Sequence, residues 1–315
     1  MISDGDLTKL VTDSDWFALV EAVAEGQLSM LDVMRSNRPE DGDYYGYIQC
    51  ARAFKVLMQD TRILRRLISD ITAVIESLSG GKRTDDLTAA TASKDGLRRF
   101  IRMSELHTEL ANTSPSLLNK STFEECLIEY LKVTGHLEKL WTDSRDFYLC
   151  GRYPFATFTA ILLLEEMGKV GLIWHELMAY DSPRSGVKVL SGVGRSHRQK
   201  AFIAVVAGAV VNPRLDRILG LKAVQQAIHD TESGKLELIR QACLYVDHVD
   251  GSITTPREQI GQDQAKFFVI FVGEIWAETY GNFPFEFARM IKMVSEFETE
   301  LGYSRDQIYG KPGMG

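Results

Sequence analysis

The stretch from Tyr153 to Tyr180, YPFATFTAILLLEEMGKVGLIWHELMAY, constrains the fold more than any other part of the chain. Ala156, Ala160, Leu163, Leu164, Met167, Val170 and Ile173 recur at spacings of three and four, which predicts a helix with an inward face. Phe158, Ile161 and Leu162 lie off that stripe, so the helix is apolar most of the way round and must be covered on several sides. Charges in the middle of such a helix have to reach a rim, pair locally or form a polar site. Glu165 and Glu166 stand four and three residues before Lys169, so one intrahelical ion pair is available and one carboxylate is left over.

A chain of 315 residues has ample length to bury a core as one large or two modest domains. Its net charge of -7 argues against a generic nucleic-acid coat and predicts no DNA partner, while leaving room for a local basic site. Cys50, Cys126, Cys150 and Cys243 form no close pair and no cluster with metal-ligand spacing, so a reduced cytoplasmic compartment and no structural metal or other cofactor are expected. The opening MISDGDLTKL is polar and acidic, unlike a secretory signal. AFIAVVAGAVV and FFVIFVGEIW are about half the length a bilayer requires and read as buried helix, so no membrane association is expected.

Apolar spacing predicts a helix from Trp16 through Leu31, with Ser14 or Asp15 as its cap, and a long amphipathic helix from Tyr44 to Leu78. Residues 79–96 read as a loop, Arg98–Leu110 as helix, and the NTSPSLLNKS segment containing Pro115 as a domain boundary. A helix of about seven turns begins at Phe123, with Phe123, Leu127, Tyr130, Leu131, Val133, Leu137, Leu140 and Trp141 inward. Gly151 stops it, Pro154 suits the next first turn, and so short a connection predicts antiparallel neighbours. After a Gly/Ser-rich loop, further helices follow RSHRQK, resume at Leu215, break at Ser233 and Gly234, and run to Asp247; HVDGSITTP reads as a turn. Arg257–Tyr280 and Phe285–Leu301 complete the set. With no useful alternating strand and no repeat, the expected class is all-α: a multi-helix bundle over 116–302, an N-terminal helical extension over 1–115 and a flexible tail over 303–315.

No glycine-rich nucleotide loop, zinc-protease or serine-hydrolase pattern occurs. What stands out are polar residues inside apolar helices: Glu165, Glu166 and Lys169; His197 and Lys200; Arg240, Tyr245 and Asp247. His197 and Lys200 share one face of a helix start, where backbone N–H groups favour an anion such as phosphate, although RSHRQK also reads as a solvated first turn. YVDHVDG also reads as an acidic helix end, with Asp250 and Gly251 as turn formers.

Taken together, GRYPFATFTAILLLEEMGK, SHRQK and RQACLYVD resemble, in order and spacing, the AbiV-type abortive infection proteins of the helical HEPN superfamily. The matching positions are Glu165, Glu166, Gly168 and Lys169, then His197 and Lys200, then Tyr245, Val246 and Asp247, with Pro256 beyond. The resemblance covers about 120–300 and implies phage defence, an RNA target or translation component, a phage-encoded trigger and a homodimer. Many HEPN proteins carry an Arg, four to six residues, then a His. Here that spacing occurs only at Arg102 and His107, outside the resembling region, and composition alone produces about one such match.

These residues suffice on paper for metal-independent RNA cleavage. His197 would move the proton, Lys200 and Lys169 would hold phosphate, and a carboxylate at 165 or 166 would orient His197 or Lys169, with Glu166 taken as the catalytic one. Arg240, Tyr245, Asp247 and Glu165 would bind substrate, Tyr245 by stacking on a base or donating to phosphate. A second use is a satisfied polar network that fixes helix register in a non-catalytic interaction module. A third is a metal-dependent enzyme with Glu165, Glu166, His197 and Asp247 as ligands to Mn or Mg.

Overall fold

The computed structural model describes residues 16–28, 53, 56–58, 60–79, 96–106, 123–178, 197–210, 212–249, 251–280 and 284–309. The expected cap at Ser14 or Asp15, the loop over 80–95, the boundary at Pro115, the Gly/Ser-rich loop and His107 lie outside them. The chain divides into two compact units, Met1–Glu109 with Met178–Ser182, and Leu110–Leu177 with Pro183–Gly315. Among the described residues no helix is long and apolar enough to cross a membrane.

In the first unit, α1 (Trp16–Ala24) buries Leu19, Ala22 and Val23. It ends well before the expected Leu31, because Gly26 takes a left-handed φ of 78° and turns Gln27 N–H back onto the Ala22 carbonyl at 2.8 Å. The long helix expected from Tyr44 is also interrupted. Asp60 accepts the backbone N–H of Arg62 at 2.8 Å and so caps a new start for α2 (Thr61–Ser79). Burial pushes the Asp60 carboxyl up, yet hydrogen bonds from Arg62 and Ile63 outweigh it and hold the group below its ordinary range. Arg62 also reaches Glu21 at 2.7 Å, tying α2 to α1. Helix α3 (96–106) buries Leu97, Phe100, Met103 and Leu106 at three-residue spacing.

In the second unit, α4 (Phe123–Leu149) and α5 (Tyr153–Met178) form the expected hairpin. Ser144 Oγ donates to the Ala156 carbonyl at 2.8 Å, the opposition that antiparallel neighbours require. The buried stripe of α4 runs Tyr130, Thr134, Leu137, Trp141, Ser144, Tyr148, alternating steps of four and three. Leu131, expected inward, falls beside that stripe and is exposed. Helix α5 is covered on several sides, with Ala156, Ala160, Ile161, Leu163, Leu164, Met167 and Val170 all buried.

Helix α6 (His197–Ala209) is buried from Lys200 through Val206 and lies against α8 (Leu221–Ser233), α9 (Lys235–Ala242) and α11 (Gln262–Tyr280). Asn212 caps the short α7 (Pro213–Leu219), accepting the Leu215 N–H at 3.0 Å. After α9, Asp247–Val249 and Ser252–Thr254 pair as an antiparallel two-stranded hairpin, β1 and β2, with Gly251 in the connection at a left-handed φ of 83°. A hairpin thus stands where a plain turn was expected. A single turn, α10 (Pro256–Gln259), leads into α11, and α12 (Pro284–Glu300) packs on α11. Trp141 stacks on Trp276 at 5.5 Å and meets Phe297 edge-on at 6.0 Å, joining α4, α11 and α12. Among the described residues the fold is all-α apart from the hairpin. Where a flexible tail was expected from 303, α13 (Arg305–Tyr309) is held by buried Ile308, by Arg217 donating to the Gln307 and Ile308 carbonyls, and by Tyr309 beneath Arg214.

Candidate functional site

Three helices of the second unit bring the polar residues together. The contact between α5 and α6 depends on Gly168: a Cβ there would stand 2.1 Å from the Lys200 carbonyl oxygen. Only a residue without a side chain allows the first turn of α6 to come this close. That approach sets Glu165, one turn before Gly168, opposite His197.

Glu165 is the buried carboxylate left over by the helix-internal pairing, which goes to Glu166 and Lys169 at 2.5 Å. His197 Nδ1–H donates to Glu165 Oε2 at 2.6 Å, while the imidazole side chain is 44% exposed. With the carboxylate accepting at Nδ1, Nε2 is the free nitrogen. The other Glu165 oxygen faces Arg240 Nε at 3.6 Å. Arg240 comes from α9, where Glu237 holds its guanidinium by two bonds, at 2.8 and 2.6 Å. Those bonds hold the Glu237 carboxyl below its ordinary range and raise Arg240 further. Around His197, a shallow depression is walled by Ile161, Ala201, Thr231 and Leu236.

Lys200 is 3% exposed and, among the described residues, has no hydrogen-bonded acceptor. Burial lowers its hold on the proton and the charge of Lys169 lowers it further, against the opposing pull of Glu165 and Glu166. Arg198, the next residue of this turn, donates to the Glu232 carbonyl, tying α6 to α8.

Of the residues singled out by sequence, Glu165, His197 and Arg240 are brought into contact, and Lys169, Glu166 and Lys200 lie beside them within electrostatic reach. Asp247 sits on the exposed hairpin, with its carboxylate accepting the His248 N–H at 2.7 Å. Tyr245 is exposed at the end of α9. Among the described residues no three His, Cys, Asp or Glu side chains are grouped to hold a metal ion, so the four-ligand arrangement of Glu165, Glu166, His197 and Asp247 is not assembled. Glu237 escaped sequence reading, although its place three residues before Arg240 signals an ion pair.

No curated protein and no solved structure matches the chain. A family model does: residues 126–277, from α4 to α11, match HEPN_AbiV, the AbiV family, and this span contains Glu165, Gly168, His197 and Arg240. With the Glu-Glu-x-Gly-Lys helix, the His-x-x-Lys turn and the helical fold in place, residues 126–277 form an AbiV-type HEPN domain.

Proposed function

We propose that the protein is an antiphage effector that acts on RNA once infection is sensed, as a homodimer, with His197 as the proton-transfer group of a metal-independent endoribonuclease. The observation that carries this reading is the 2.6 Å hydrogen bond from Nδ1 of the exposed His197 to the buried carboxylate of Glu165. A buried carboxylate on one ring nitrogen fixes the tautomer and aims the other nitrogen at solvent, the arrangement that general-base chemistry needs.

In the reaction, His197 Nε2 removes the proton of a ribose 2′-hydroxyl. The 2′-oxygen attacks the adjacent phosphorus, the bond from phosphorus to the 5′-oxygen breaks, and the products are a 2′,3′-cyclic phosphate and a 5′-hydroxyl. Lys200 is buried three residues on along the same helix, and its charge acts on the phosphorane from beneath the site. The departing 5′-oxygen takes its proton from water on the open side of His197. Glu165 is a positioning residue, and Arg240 fixes Glu165 in turn.

One observation favours a second reading, a non-catalytic module: Glu166 with Lys169 and Glu237 with Arg240 close on one another, as a register-fixing network would. Incubation of the purified protein with total RNA separates the two. Wild type should cleave, and His197→Ala should lower the rate by about 10²- to 10⁴-fold with an unchanged melting temperature. Lys200→Ala should also impair cleavage. Intact RNA with wild type that still defends cells would overturn the nuclease and leave the module.

A further inference from the structure

We infer that Glu237 is a positioning residue for the His197 site: it holds Arg240 back from Glu165, so that this buried carboxylate serves the imidazole. The inference rests on the proposed role of His197 and names what keeps its partner available.

Two donors compete for Glu165. His197 Nδ1–H takes Oε2 at 2.6 Å, while Arg240 Nε stands 3.6 Å from Oε1, in contact but beyond hydrogen-bonding distance. Left to itself the guanidinium would win. It is permanently charged and forked, whereas the imidazole donates through one N–H, and a carboxylate only 4% exposed favours the stronger charge. The movement needed is small, about 0.8 Å to reach a normal hydrogen bond. What prevents it is Glu237, which takes both Nε and Nη2 of Arg240, at 2.8 and 2.6 Å. The single Nε–H cannot serve both acids.

The local structure keeps Glu237 on that cation. It lies one turn before Arg240 on α9, and Gln241 Nε2 donates to its Oε1 at 3.0 Å, a further bond that fixes the carboxylate. Gly234, at a left-handed φ of 86°, sets the start of α9, and Arg198, the neighbour of His197, donates to the Glu232 carbonyl just before this bend. The start of α9 is thereby tied to the first turn of α6, and Glu165, His197 and Glu237 line one depression. Lys169 is occupied in the same way by Glu166, at 2.5 Å. Arg240 and Lys169 thus each have an acid of their own, which leaves Glu165 to His197.

The test is a double-mutant cycle on the full chain. Glu237→Ala should free Arg240 to capture Glu165 and lower the cleavage rate at saturating RNA by about 10- to 100-fold. Arg240→Ala alone should lower it by no more than about fivefold. The double variant, Glu237→Ala with Arg240→Ala, should recover to the Arg240→Ala rate, because the competitor is gone. Nitrogen NMR of the histidine-labelled chain at mildly alkaline pH reads the same competition without RNA, the His197 signal being identified by its loss in His197→Ala. Wild type and the double variant should hold the Nδ1–H tautomer, and Glu237→Ala should move toward Nε2–H. Glu237→Ala at the wild-type rate, a double variant as slow as Glu237→Ala, or an unchanged tautomer in Glu237→Ala would overturn the inference while leaving the nuclease intact. A wild type that cleaves no RNA would remove the nuclease, and the tautomer would then decide the inference alone.

Discussion

The second unit contains two clusters of the same ingredients, an arginine between glutamates, and they are built to opposite ends. In one, Arg214 of α7 faces Glu274 of α11 and Glu298 of α12, each at 2.8 Å, and also donates to Ser295 at 2.7 Å. Glu274 and Glu298 are fully covered and Arg214 is 12% exposed. In the other, Glu165 is just as buried, but its partners are the half-exposed His197 and a partly exposed Arg240. A sealed triad can hold helices in place and can meet no ligand. An open one turns a buried charge into control over a group that solvent and substrate reach. Burial of a carboxylate alone does not mark a functional site; what matters is whether its partner faces outward.

Removing the cation from the sealed cluster should have the largest effect. Burial weakens the grip of Arg214 on its proton, but the two carboxylates more than restore it, so the guanidinium is the cation that compensates two buried acids. Arg214→Ala should destabilise the protein by about 3–5 kcal/mol in urea unfolding. Arg240→Ala, the matching change in the open cluster, should cost about 1 kcal/mol, because water reaches the space it leaves. Equal losses would erase the distinction.

Next in size is a change in the support of the open cluster. Gly168→Ala places a methyl group against the Lys200 carbonyl, which is backbone and cannot rotate away. The loss should be about 1–3 kcal/mol, with α6 displaced from α5. Because His197 rides on that turn, RNA cleavage should fall further than stability does, which parallel melting curves and cleavage rates would show. Full activity at wild-type rates would mean that Glu165 and His197 do not depend on this contact.

Apolar spacing read correctly from the sequence made α4, α5 and α11 legible, since their stripes exceed four turns and tolerate a few exceptions. Breaks set by a single side chain were not legible: Asp60 restarts a helix and Gly26 ends one inside stretches whose apolar pattern continues. At the site, a leftover carboxylate could be anticipated, because an acid inside an apolar helix needs a partner, but spacing favoured neither acid: Glu166, expected to be the catalytic one, pairs with Lys169, and Glu165 takes His197. The same logic applied to Glu274, the lone acid in FFVIFVGEIW, but its partners lie on α7 and α12, far apart in sequence, and no local spacing connects them.

The finest test of the comparison is protonation. Burial drives the Glu274 carboxyl well above its ordinary value of 4.5; Arg214 opposes this, and Glu298 and Glu278 reinforce it. Glu298 is raised as well, so both acids take up a proton more readily than free carboxylates do. A folded-state value above the unfolded one gives stability that is complete below pH 4.5 and is lost as pH rises through the folded value. Glutamine mimics the protonated acid, so Glu274→Gln should change stability by less than about 1 kcal/mol at mildly acidic pH. Its advantage over wild type should then grow as pH rises, while cleavage of RNA stays unchanged because this cluster touches no substrate. Glu165→Gln should do the reverse: a small change in unfolding with a loss of cleavage, since an amide holds His197 Nδ1–H more weakly than a carboxylate. If both variants shift the pH dependence of stability and neither changes cleavage, the two clusters are one kind of device.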